Sequence, residues 1–161
     1  MRRLLVVLPV IVASLASAPA AHASGDWSWP VVGPVIRGYD PPDSPYGSGH
    51  RGIDIAAPVG TPVVAAAGGV VSFAGPVSGR LFVTVDSESG VMASYSYLSS
   101  MRVRKGDAVA QGAVLGGSGT GHAGVTPAHL HFGVRVNGEY ADPMSFLTAP
   151  SVVSLVRLAP L

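Results

Sequence analysis

Residues 80–98 read RLFVTVDSESGVMASYSYL, and this stretch decides the fold class. It holds two runs of alternating residues, joined by a turn near Ser87 to Gly90. That pattern is a β-hairpin, because successive side chains of a strand point to opposite faces. On its C-terminal side, MRVRKGDAVAQGAVLGGSG (101–119) has a tight turn at Lys105-Gly106-Asp107 and a strand broken by Gly112. HLHFGVRVNGEY (129–140) is a further hairpin around Asn137-Gly138, a strong turn dipeptide. DPMSFL (142–147) reads as a short helical turn, with Asp142 as N-cap and Pro143 at the first helical position.

On the N-terminal side the pattern is similar. TPVVAAAGGVVSFAG (61–75) reads as two short strands broken at Gly68-Gly69, and HRGIDIAA (50–57) alternates. VVGPVIRGYDPPDSPYGSG (31–49) is strand-like from Val31 to Ile36 and then a loop through three prolines. No window after the first 23 residues sustains a period of 3.6 over three turns. All 21 glycines and 12 of the 14 prolines fall after residue 23, which is the punctuation of many short strands. The expectation is a single all-β domain, a barrel or sandwich of short antiparallel strands over residues 31–147. A short lead-in (24–30) would be pinned by Trp27 and Trp29, and residues 148–161 would form an apolar tail.

The first 23 residues are different in kind. Arg2 and Arg3 precede the apolar run LLVVLPVIVASLASA, and AHA ends at Ala23, an A-x-A cleavage pattern. This reads as a secretory signal peptide; the run is interrupted by Pro9 and shorter than the roughly 20 residues of a spanning helix. Without Arg2 and Arg3 the ten Lys and Arg fall to eight against nine Asp and Glu, a formal charge of −1. Such a balance argues against nucleic acid and against an anionic lipid surface as partners. There is no cysteine, so stability outside the cytoplasm rests on packing, short turns and a bound metal.

Three of the five histidines fall in GHRGIDIAAPVGTP (49–62) and HLHFGV (129–134). Strand alternation puts His50, Gly52 and Asp54 on one face and Arg51, Ile53 and Ile55 on the other. It likewise puts His129, His131 and Gly133 opposite Leu130, Phe132 and Val134, so Arg51 receives no role in the chemistry. Two imidazoles and one carboxylate form a donor set typical of catalytic zinc, which keeps a fourth position for water and lowers that water's pKa towards 7. One histidine of the H-x-H pair is then left to handle protons. H-x-x-x-D is weak by itself and H-x-H only suggestive; both in this order, about 75 residues apart on alternating strands, make a strong signal.

Those two motifs, with GHRGIDIAAPVGTPVVAAAGGVVSFAG (49–75), VRKGDAVAQGAVLGGSG (103–119) and HLHFGVRVNGEYADPMSFL (129–147), resemble the lysostaphin-type, LytM-like zinc metalloendopeptidases of bacterial cell walls. The resemblance runs from about Trp29 to Leu147 and implies the duplicated hybrid motif fold. It implies one zinc ion on His50, Asp54 and His131, and His129 as the catalytic histidine beside the metal. The implied substrate is the peptide part of peptidoglycan, a stem peptide or cross-bridge.

One departure stands out. Where the family usually carries a second catalytic histidine in Tyr-x-His-Leu-Ser, this chain has YSYLS, with Tyr97 at that place. A phenol with an ordinary pKa near 10 is a poor base at neutral pH but a sound donor to a developing oxyanion. His122, in the Gly-rich stretch GSGTGHAGVTPAH, is expected to be a solvated loop residue rather than a substitute proton carrier. The competing reading is a non-hydrolytic peptidoglycan-binding or hydrolase-activating module of the same fold. Tyr97 favours that module, whereas the complete ligand set favours an enzyme. A biotinyl- or lipoyl-carrier hairpin is disfavoured, because the sole lysine, Lys105, lacks the flanking methionine such domains present.

Overall fold

The computed structural model describes residues 27–148, apart from 45–46 and 88–89. The expected signal peptide, the first residues of the lead-in and the tail beyond Thr148 lie outside the described residues. Among the described residues there are ten strands: β1 (Val35–Arg37), β2 (Ile53–Ala56), β3 (Pro62–Val64), β4 (Gly69–Val77), β5 (Arg80–Asp86), β6 (Val91–Met101), β7 (Ala108–Val109), β8 (Val114–Ser118), β9 (His129–Val136) and β10 (Glu139–Ala141). A 3-10 turn, Pro143–Ser145, follows, capped by the Asp142 side chain accepting from the Met144 N–H.

The strands form one antiparallel sheet in the order β1-β2-β9-β6-β5-β4-β7, with β10 beside β9 and β8 bridging β6 to β3. Its end strands β1 and β7 do not pair with each other, so among the described residues the sheet stays open and folds over as a sandwich instead of closing into a barrel. The first strand is also later than expected, Val35–Arg37 in place of Val31–Ile36. Pro34 has no N–H to give a ladder, and its carbonyl instead accepts from the Ala56 N–H at 2.9 Å.

Alternation decides which side chains meet. Val83 and Val85 of β5, Val91, Ala93 and Tyr95 of β6, and Leu130, Phe132 and Val134 of β9 are buried in one core with Ile53 and Ile55 of β2. The residues between them, Phe82, Thr84, Met92, Ser94, Ser96 and His131, face a cleft on the other side. The long strand β6 organises this sheet. Its first half, Val91 to Ser96, pairs with β9, and its second half, from Leu98, pairs with β8. Tyr97 is matched in neither ladder nor in the β5 ladder, and its φ is +64°. It is an extra residue of the bulged type that re-aims a side chain.

Two polar groups in the core satisfy each other. The Tyr95 hydroxyl accepts from the Ala66 N–H at 2.7 Å, and burial pushes the phenol pKa well up, keeping it protonated. Tyr95→Phe would leave that amide buried without a partner, at a cost of about 1–3 kcal/mol. The expected result in urea unfolding is a lower midpoint with an unchanged m-value.

Candidate metal centre

Asp54 and His131 are direct cross-strand partners on β2 and β9. Their neighbours Ile53, Ile55, Leu130 and Phe132 are drawn into the core, which turns the carboxylate and the imidazole to the same opposite side. Asp54 Oδ1 lies 2.8 Å from His131 Nδ1 and 3.0 Å from His50 Nε2, and those two nitrogens are 3.0 Å apart. His50 arrives differently from expectation. It precedes β2, on a bend fixed by an isolated bridge to Asp40, and is not part of the strand. Its Nδ1 donates to the Gly38 carbonyl at 2.6 Å. A carbonyl can only accept, so the His50 proton sits on Nδ1 and the Nε2 lone pair faces the cluster.

His122 joins them. Its Nε2 lies 3.3 Å from Asp54 Oδ1 and 3.3 Å from His131 Nδ1, and its side chain is 26% exposed. The expectation of a solvated loop histidine is therefore corrected: the stretch after β8 folds back over the β2–β9 pair and carries the ring to the cluster. His50, Asp54, His122 and His131 each offer one ligand atom, all within 4.8 Å of one another.

His129, from the same face of β9, is wholly buried. Its Nδ1 donates to the Pro127 carbonyl at 2.9 Å, so its Nε2 is the unprotonated nitrogen, and that atom accepts the His122 backbone N–H at 3.0 Å. Its Nε2 stands 3.8 Å from Asp54 Oδ2. Tyr97 completes the group, with its hydroxyl 3.0 Å from His122 Nδ1. Sequence alternation also misplaced Arg51. Because residues 51–52 form a bend and not a strand, Arg51 lines the cleft with His50 and His131.

The electrostatics follow from this crowding. Burial pushes the Asp54 carboxyl up, but the hydrogen bond from His131 and the charges of His50, His131 and His122 outweigh it and bring the pKa down to about 2. Burial lowers the His122 pKa, against the pull of Asp54. It raises that of Tyr97, against the pull of Arg80, so the phenol keeps its proton near neutrality. Three imidazole nitrogens crowd one carboxylate oxygen, an arrangement that a cation among them would satisfy. Asp54 Oδ2 is moreover buried without a hydrogen-bond partner, which a native core rarely tolerates. Nitrogen and oxygen donors without sulfur suit a divalent ion such as zinc, so the residues fit one.

The peptidase family M23 profile matches residues 48–143, the stretch that carries every one of these groups. The chain belongs to peptidase family M23. Among its relatives, it is 35% identical over 156 residues to an uncharacterized protein of Mycobacterium tuberculosis, covering 92% of this chain and 61% of that protein. It thus spans about three-fifths of that relative's length. It is 41% identical over 101 residues to the DD-carboxypeptidase/endopeptidase Mpg of Neisseria meningitidis, covering 60% of this chain and 22% of that protein. Its structure superposes on that of the antimicrobial peptidase lysostaphin from Staphylococcus simulans with a TM-score of 0.66 at 32% identity, covering 80% of this chain and 55% of that one. M23 membership supports a peptidase-family role connected with peptidoglycan and bears out the resemblance read from the two motifs.

A backbone constraint sits under the M23 centre. A Cβ on Gly52 would press into the Phe132 carbonyl and stand 2.9 Å from His131 Nε2. Gly52→Ala therefore tilts the His131 ring away from Asp54. The expected outcome is a loss of divalent-ion affinity of roughly 10–100-fold, the scale seen when a ligand loses its support, measured by competition with a chromophoric chelator.

Proposed function

We propose that this chain is an exported zinc endopeptidase that hydrolyses peptide cross-links of bacterial peptidoglycan. The observation that carries the proposal is the convergence of His50 Nε2, Asp54 Oδ1 and His131 Nδ1 within 3.0 Å of one another. They meet beside a cleft of about 540 Å³. These three residues would hold the ion, with Nδ1 of His50 oriented by the Gly38 carbonyl. Zinc, when bound, supplies Lewis acidity that polarises a scissile carbonyl and makes water nucleophilic near neutral pH.

The remaining work belongs to the chain. The cleft runs over β5, β6 and β9, and Arg37, Arg51 and Arg135 line it. Such a lining suits a peptide bearing carboxylates. His129, whose Nε2 is the unprotonated nitrogen, takes a proton from the attacking water and returns it to the leaving amine. Tyr97, kept protonated by burial, donates a hydrogen bond to the developing oxyanion. Export rests on residues 1–23, and the catalytic domain on residues 31–147.

One observation favours the non-hydrolytic module: the His129 Nε2 lone pair is occupied by the His122 N–H. A single experiment separates the two readings. Protein recovered outside the cell, beginning at Ser24, is assayed for zinc and for release of peptide fragments from isolated cell walls. The enzyme reading expects one zinc per chain and release that a chelator abolishes, with Asp54→Asn losing both. Stoichiometric zinc with no release from any wall preparation contradicts it and favours the module.

A further inference from the structure

We infer that His122 is a fourth protein ligand of the metal in this chain, held in place by Tyr97, so that the resting centre is closed by the chain itself. The inference rests on the proposed zinc site and extends it. Four donors about 2.0–2.1 Å from a tetrahedral ion stand roughly 3.3 Å apart. His122 Nε2 is 3.3 Å from both Asp54 Oδ1 and His131 Nδ1. The whole set of four donors lies within 4.8 Å, so a short closing movement of the His122 ring completes the tetrahedron.

Three separate contacts hold the ring there. Tyr97 meets Nδ1 at 3.0 Å. With Nε2 turned to the cation, the neutral ring carries its proton on Nδ1 and donates it to the phenol oxygen, the usual outer support of a ligating imidazole. Tyr97 reaches that point because it is the unmatched residue of β6, with φ +64°, a conformation uncommon for a bulky side chain and associated with functional sites. Arg80 ties the loop down, donating to the Gly121 carbonyl at 2.6 Å while its guanidinium lies 5.0 Å over the Tyr97 ring. Finally, the His122 N–H donates to His129 Nε2 at 3.0 Å. Gly121, with φ +80°, lies so close to the His129 ring that any Cβ would collide with it.

Zinc centres with four protein donors are of the closed, structural kind, and hydrolytic ones keep a corner free. Hydrolysis at this centre therefore requires His122 to leave. The same movement withdraws its N–H from His129 Nε2, so the corner and the proton acceptor are released together. Gly121 and Gly124, both at positive φ, flank the residue that must move.

The test uses the full chain loaded with zinc or with cobalt(II). Zinc affinity is measured by chelator competition for wild type, His122→Ala and Tyr97→Phe, and the cobalt(II) absorption spectrum is recorded with and without azide. The expected result is at least a tenfold weaker zinc affinity for His122→Ala and a smaller loss for Tyr97→Phe. In the cobalt form, wild type resists azide, and His122→Ala binds it with a changed spectrum. If both variants keep the wild-type affinity and spectrum while Asp54→Asn loses the metal, the inference fails and the zinc site stands. If wild type takes up no zinc, the proposed site and the inference fail together.

Discussion

The centre depends on the pairing of Asp54 on β2 with His131 on β9. The two strands run antiparallel with Ile53 opposite Phe132 and Ile55 opposite Leu130, and all four of those side chains are fully buried. The apolar set therefore fixes the register, and the register puts a carboxylate and an imidazole on the same side at the same height. A slip of one residue would exchange the faces and bury the polar pair in the core. Packing and chemistry are thus set by one alignment, and neither changes without the other.

Around that pair the site is assembled from less regular pieces. His50 comes from a bend and is held by a carbonyl, His122 from a glycine-rich loop, and Tyr97 from a bulge where β6 passes from β9 to β8. Regular strands supply rigidity, and the irregular elements supply the freedom to aim a ring. The two histidines of β9 have opposite tasks. His131 Nδ1 faces Asp54 Oδ1 and the proposed cation site, and His129 Nε2 accepts the backbone N–H of the loop that carries His122. In the proposed centre this arrangement would link the state of the metal corner to the state of the proton acceptor.

Alternation made much of this legible before any coordinates. The hairpin at 80–98, the Asn137-Gly138 turn, the Asp142 cap and the sidedness of residues 129–134 are all encoded in local residue order. Asp54 and His131 could each be assigned a face in advance because both sit on true strands. The reading failed where the backbone leaves the ladder. The strand period that puts Arg51 on the far side does not hold across the bend at 51–52. His122 was read as solvated because no local pattern records where a loop returns. The Tyr97 bulge has no signature in YSYLS either, since its cause is the change of partner along β6. Whether the sheet would close was similarly invisible, being set by how far its end strands stand apart.

The most direct test of the account is X-ray absorption at the zinc edge of the metal-loaded protein. The account predicts a first shell made of nitrogen and oxygen alone at about 2.0–2.1 Å, with imidazole scattering that diminishes when His131 is replaced by alanine. A shell of waters without imidazole scattering, or a spectrum indifferent to His131 and Asp54, would contradict it.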